Sequence, residues 1–227
     1  MAPPVPPHRI QPRSFWIIAL FVVAASCTWT GKASRSITPG DITLLTDLPR
    51  GGVFTDANGT TLGYRIFRIH ITNNSTAPAG LTMDLPGGPV RLLPDTGRYV
   101  RVFLFPDDIS PDTAQDTFDF GIQGSVDFLT APPPSPTPQR RSLAPGTTRI
   151  LYIGVVFEQG GLEGIGRGEL FIKGQRPIAT SFPEGSIPAS TSKGNDLTLL
   201  FGLAIDPPKH YALIPCGRIA FEGVRGR

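Results

Sequence analysis

An antiparallel β-sandwich, immunoglobulin-like or jelly-roll-like, is the fold class this sequence predicts, and three observations point to it. From Lys32 onward the apolar residues alternate or fall in short runs, and almost no stretch holds the 3.6-residue period of an amphipathic helix. Gly, Pro, Asn and Asp punctuate those runs at short intervals, as the turns of an all-β domain require. The chain has 227 residues, 40% hydrophobic and 17% charged, which is too apolar for an intrinsically disordered protein and long enough for a substantial core. Its 26 glycines and 25 prolines stay just under the roughly 25–30% share that marks low-complexity disorder.

The clearest strand is Leu62 to Thr72, with Arg65, Phe67, Ile69 and Ile71 on the face expected to meet the core and Tyr64, Ile66, Arg68 and His70 on the other. Asp56-Ala57-Asn58-Gly59 makes a tight turn before it and Asn73-Asn74-Ser75 another after it. Gly80–Leu85, Val90–Leu93 and Arg98–Phe105 follow as strands, with a turn at Leu93-Pro94-Asp95-Thr96-Gly97 before the last. Phe105 to Asp112 reads as a loop, and Thr117–Phe120 and Ser125–Leu129 resume the β pattern. Ala131 to Gly146 then carries six prolines and the dibasic pair Arg140-Arg141, a composition that favours extended, solvated backbone and is expected to stay out of the sheets.

Arg149 to Phe157 is a continuous apolar run, which implies a strand covered on both faces. Gly168–Lys173, Asp196–Ile205, Tyr211–Ile214 and Arg218–Phe221 complete the expected strands, and Pro177, Pro183 and Pro188 mark a second long connection. The piece after the proline-rich segment is small for covering a doubly buried strand by itself. One sandwich spanning residues 37–227, with residues 131–146 looping out, is therefore favoured over two small β domains.

Ahead of this body, His8, Arg9 and Arg13 precede the apolar run Phe15 to Ala25, too short for the ~20 residues of a bilayer span and laid out like a secretory signal. The tetrad Ala24-Ala25-Ser26-Cys27 resembles the lipobox of bacterial lipoproteins, although Ala24 stands where Leu is usual. The resemblance implies a signal peptide over residues 1–26, a diacylglyceryl group on Cys27, a tether over residues 27–36, and a place in the bacterial cell envelope facing periplasm or exterior. Ala24-x-Ser26 also satisfies ordinary signal cleavage, which would give a secreted form. Cys216 is the second of two cysteines: with Cys27 acylated it is a small core hydrophobe or a leftover thiol, and with Cys27 unmodified the two would form a disulfide.

Chemistry-bearing patterns are sparse. The net charge is +3, of which Arg9 and Arg13 supply two, so the body is no nucleic-acid binder by electrostatics. After the signal segment only His70 and His210 remain as histidines, no Gly-x-Ser-x-Gly occurs, and no metal-ligand spacing is present. Asp107, Asp108, Asp112, Asp116 and Asp119 fit no calcium loop, and the glycine-rich Gly160–Gly168 lacks the Lys-Ser or Lys-Thr of a phosphate cradle. No cofactor is expected. The one suggestive face is that of Tyr99, Arg101 and Phe103, with Phe105, on the side of Arg98–Phe105 opposite Val100, Val102 and Leu104. Aromatic rings beside arginine suit a protein hot spot or sugar stacking. The expected function is a lipid-anchored, non-catalytic binding, assembly or structural module with a protein or glycan partner. A carbohydrate-binding or adhesion module and a carboxylate-dependent hydrolase using the Asp107–Asp119 loop are the alternatives.

Overall fold

The computed structural model describes residues 33–38, 41–47, 49–86, 88–92, 98–105, 107, 129–130, 138–159, 165–175, 195–206 and 210–223. Within them twelve strands build two antiparallel sheets packed as a sandwich. The seven-stranded sheet runs β1 (Ala33–Ile37), β2 (Ile42–Asp47), β4 (Thr61–Asn73), β9 (Thr148–Glu158), β7 (Tyr99–Leu104), β6 (Val90–Arg91), with β3 (Arg50–Thr55) also on β4. The five-stranded sheet runs β10 (Ile165–Ile172), β11 (Asp196–Asp206), β12 (His210–Glu222), β5 (Ala79–Asp84), β8 (Gln139–Leu143).

Period-two alternation puts Phe67, Ile69 and Ile71 of β4 between the sheets, with Val100 and Val102 of β7 and Leu151, Ile153 and Val155 of β9. From the other sheet Leu81, Met83, Leu199, Phe201, Leu203 and Ile219 meet them. The Phe67 and Phe201 rings stack edge to face across the interface at 6.0 Å between centroids. Each fully buried Leu, Ile, Val or Phe contributes about 1.5–3 kcal/mol relative to exposure, so this shared core is the main source of stability.

Several elements differ from expectation. β1 occupies Ala33–Ile37, taking up the last four residues of the stretch read as tether, because Ala33, Arg35, Ser36 and Ile37 find ladder partners on β2. β8 occupies Gln139–Leu143, inside the stretch read as looping out: between Pro138 and Pro145 no proline interrupts the backbone donors, and Ala79 to Met83 of β5 supply the partner. Tyr211–Ile214 and Arg218–Phe221 are two parts of one strand, β12, joined through a bulge at Cys216 where Leu199 pairs with Gly217 and Leu200 with Pro215. Leu129, read as the end of the strand Ser125–Leu129, is helical together with Thr130, while Thr117–Phe120, residues 125–128, residues 160–164 and the prolines 177, 183 and 188 lie outside the described residues.

Candidate functional site

The outer face of the seven-stranded sheet is built from rows that cross β3, β4, β9 and β7. One row is Gly52, Tyr64, Val156 and Arg101, and the next is Arg50, Ile66, Gly154 and Phe103. Beyond them Arg68 pairs with Tyr152, whose carbonyl accepts the Phe105 amide at 2.9 Å. Strand alternation alone puts these side chains outward. What sets them apart is that Leu62, Tyr64, Ile66, Phe103, Phe105 and Val156 are buried there in a second apolar cluster, with Phe54 and Tyr152 at its border.

Two glycines make room for the rings. A Cβ on Gly52 would lie 3.1 Å from the Tyr64 hydroxyl oxygen, so the tyrosine ring rests across β3. A Cβ on Gly154 would lie 2.8 Å from Phe105 Cε2 and closer still to the Phe103 ring, so both rings lie across β9, tilted against each other at 5.4 Å. Leu129 closes the cluster from above at 1% exposure. Arg101 donates from Nη2 to the Leu129 carbonyl at 2.8 Å and from Nη1 to the Thr130 carbonyl at 3.5 Å. Burial pulls the Arg101 guanidinium below its ordinary value, and the nearby Asp56 charge opposes that pull.

The residues singled out from the sequence therefore have three different fates. Tyr99 is 47% exposed, Arg101 is half-buried and bonded to two backbone carbonyls, and Phe103 is covered at 8% exposure. Tyr64 and Ile66, read as the outward side of β4, are buried as deeply as the inner residues because this cluster covers them. Cys27 lies outside the described residues. Cys216 is a free thiol at 0% exposure among core residues, and burial pushes its pKa up.

Further along the same face, Asp47 at the end of β2 accepts Arg68 Nε at 2.5 Å and lies 3.1 Å from His70 Nε2. This pairing was not visible in the sequence, because Asp47 and His70 meet only once β2 and β4 are in register, with Leu45 opposite His70. An imidazole oriented by a carboxylate is half of a nucleophilic device. Here its outward neighbours in register are Leu45 and Ile150, which offer no nucleophile. Asp107, the described member of the acidic stretch, bridges Arg141 at 3.0 Å and Arg149 at 2.8 Å; Asp108, Asp112, Asp116 and Asp119 lie outside the described residues. Among the described residues no three His, Cys, Asp or Glu side chains converge as a metal site would need. Comparison with protein-family models and with curated proteins gives no match.

Proposed function

We propose that this chain is a non-catalytic binding module of the bacterial cell envelope, held on a membrane by a diacylglyceryl group on Cys27 and facing the periplasm or the exterior. The observation that carries the anchor is the apolar run Phe15 to Ala25 ending in Ala24-Ala25-Ser26-Cys27, six residues before strand β1 begins at Ala33. Six residues reach about 20 Å at most, so the sandwich would be held against the bilayer surface rather than on a long stalk. A buried, free Cys216 supports acylation over a Cys27–Cys216 disulfide, since its thiol already serves as core volume.

Binding rather than catalysis is supported by where the polar groups are committed. Asp47 holds Arg68 and His70, Asp107 ties Arg141 to Arg149, and Asp56 accepts the amides of Asn58 and Thr60 in the β3–β4 turn at 2.9 and 2.8 Å. Each is a structural use of a carboxylate. A protein partner is favoured over a glycan because sugar stacking needs open ring faces, and Phe103 is covered while Tyr99 is exposed.

Intact mass of the protein extracted from its native membrane tests the anchor, with Cys27→Ala as control. A mass for the chain starting at Cys27 plus diacylglyceryl, lost together with membrane association in Cys27→Ala, is the expected result. A soluble chain two hydrogens short of the reduced mass would replace the anchored reading with a secreted, disulfide-closed protein.

A further inference from the structure

β3 is an edge that its own sequence leaves unguarded. Its six residues, Arg50–Thr55, hold the β4 ladder on one side, and among the described residues no strand lies on the other. After Arg50 the strand carries no charge and no proline, the devices that ordinarily blunt an edge. Val53 marks the gap: it pairs with Gly63, on the side of β4 that Phe67 presents to the core, yet it is 54% exposed. We propose that this free edge is the docking site for Thr28–Lys32, the segment that leads into β1, which adds beside β3 as an antiparallel strand.

The register of the neighbouring strands points the segment there. β2 and β3 follow one another along the same edge of β4 in the same direction, with Thr46 opposite Ile69 and Arg50 opposite Ile66. β1 runs antiparallel beside β2 and begins at Ala33, opposite Asp47 at the end of β2. The direction of β1 therefore aims the chain that precedes it along the free edge of β3 and not away from it. Counting back one residue per row from Ala33, Gly31 comes opposite Arg50, Trp29 opposite Gly52 and Thr28 opposite Val53. The lengths match as well, since the extended segment covers about 17 Å and β3 about 20 Å.

That register gives each side chain a use. Gly52 lies on the outer face beside Tyr64, so a Trp29 ring opposite it covers the bare glycine and meets the border of the aromatic cluster at Tyr64 and Phe54. Thr28, on the opposite face, shields Val53 from water. Cys27 then comes to the row of Phe54, next to the β3–β4 turn. The inference deepens the anchored reading and rests on it for the lipid alone: once the segment is docked, the diacylglyceryl group sits beside the Asp56–Gly59 turn, and that end of the sandwich faces the bilayer.

The test uses residues 27–227, which hold all twelve strands, with Cys27→Ser so that no lipid is attached. Trp29 is then the one tryptophan, since Trp16 precedes residue 27, and it reports without further substitution. Its acrylamide quenching constant in the folded chain should fall several-fold below that of N-acetyltryptophanamide. Register is read with cysteine pairs, for which the exposed Val53 is a tolerant position and the buried Cys216 stays silent. Val53→Cys with Thr28→Cys should close to an intramolecular disulfide about tenfold faster than Val53→Cys with Thr30→Cys, which stands two rows away. Quenching of Trp29 as free as that of the amide, or equal rates for the two cysteine pairs, overturns the proposal. So does a disulfide that joins two chains, which would give the β3 edge to a second copy. Because these assays omit the lipid and the mass measurement reads only the lipid, failure of one leaves the other standing.

Discussion

Gly154 is the residue on which the outer cluster turns, because its missing side chain is the space that the Phe103 and Phe105 rings occupy. Gly154→Ala should cost about 1–3 kcal/mol by overpacking, read as a lower urea midpoint with unchanged slope. A change within error would mean that the rings have room elsewhere. Gly217 has a different reason to be glycine: its φ is +137° in the β12 bulge, and a Cβ there would lie 2.5 Å from the Asp84 carbonyl oxygen. Beside it, Cys216 gives a pH prediction with a definite sign. Its folded pKa is raised by burial, so the native state holds the proton that the unfolded chain releases above the ordinary value of 9.0. Its contribution is complete below that pH and falls above it, by up to about 1.4 kcal/mol per pH unit. The stability difference between the parent and Cys216→Ala should therefore shift in favour of the alanine variant as pH rises past 9.0 in chemical denaturation, and a constant difference would sink the assignment. The core preference of Cys216 was legible from its place beside apparent strands. The need for glycine at 154 was not, because it is set by rings on β7 that meet β9 only in the folded sheet.

At the level of elements, the junction of β2 and β3 on one edge of β4 shows what holds strands in register. β2 pairs with residues Ile69 to Asn73 and β3 with Thr61 to Ile66, which leaves Phe67 and Arg68 at the seam. Asp47, 3% exposed, ends β2 there and takes Arg68 and His70 on one carboxylate oxygen. Asp47→Ala leaves the Arg68 guanidinium, 13% exposed, without that carboxylate and should cost about 3 kcal/mol. Asp196→Ala removes an equally short pair with Arg218, but both partners are about half-exposed, and the loss should stay below about 1 kcal/mol. Equal losses for the two variants in parallel urea titrations would contradict this ranking by burial. Asn73 joins elements in another way: fully buried, it donates to the Ala77 and Leu143 carbonyls at 2.9 and 3.0 Å and accepts from the Ser75 amide and hydroxyl. The turn chemistry of Asn73-Asn74-Ser75 was legible in the sequence, whereas the link to Leu143 on the opposite sheet spans a separation that no local pattern encodes. Likewise β2, β3 and β8 escaped sequence reading. Ile42 to Asp47 and Arg50 to Thr55 are short and broken by polar or glycine positions, and Gln139 to Leu143 is hidden among prolines.

Across the whole molecule the decisive feature is that each sheet draws strands from both ends of the chain. β9 lies between β4 and β7 in one sheet, and β5 lies between β12 and β8 in the other. The doubly covered strand was legible as the run Arg149 to Phe157, since Ile153 and Val155 face the main core while Val156 faces the outer cluster. Its neighbours were not, because the β4–β9 register joins Leu62 to Glu158 and Thr72 to Thr148, pairings fixed by the closed sandwich rather than by nearby residues. Asp107 closes the same arrangement from the side, tying Arg149 of one sheet to Arg141 of the other. A chain cut before β8 leaves β4 and β7 without the strand between them, and leaves β12 without β5. The first piece keeps the β1–β2–β4 ladder with β3 and the second keeps β10–β11–β12, but each loses most of the facing sheet that covers its apolar side, which a sheet needs for independent stability. The full chain should accordingly unfold in one transition, with far-UV circular dichroism and tyrosine fluorescence superimposing along urea. Fragments 1–138 and 139–227 should each lack cooperative unfolding alone and regain it when mixed. Two separated transitions in the intact chain, or a fragment that melts cooperatively alone, would show that the interleaved strands contribute less to stability than the core within each half.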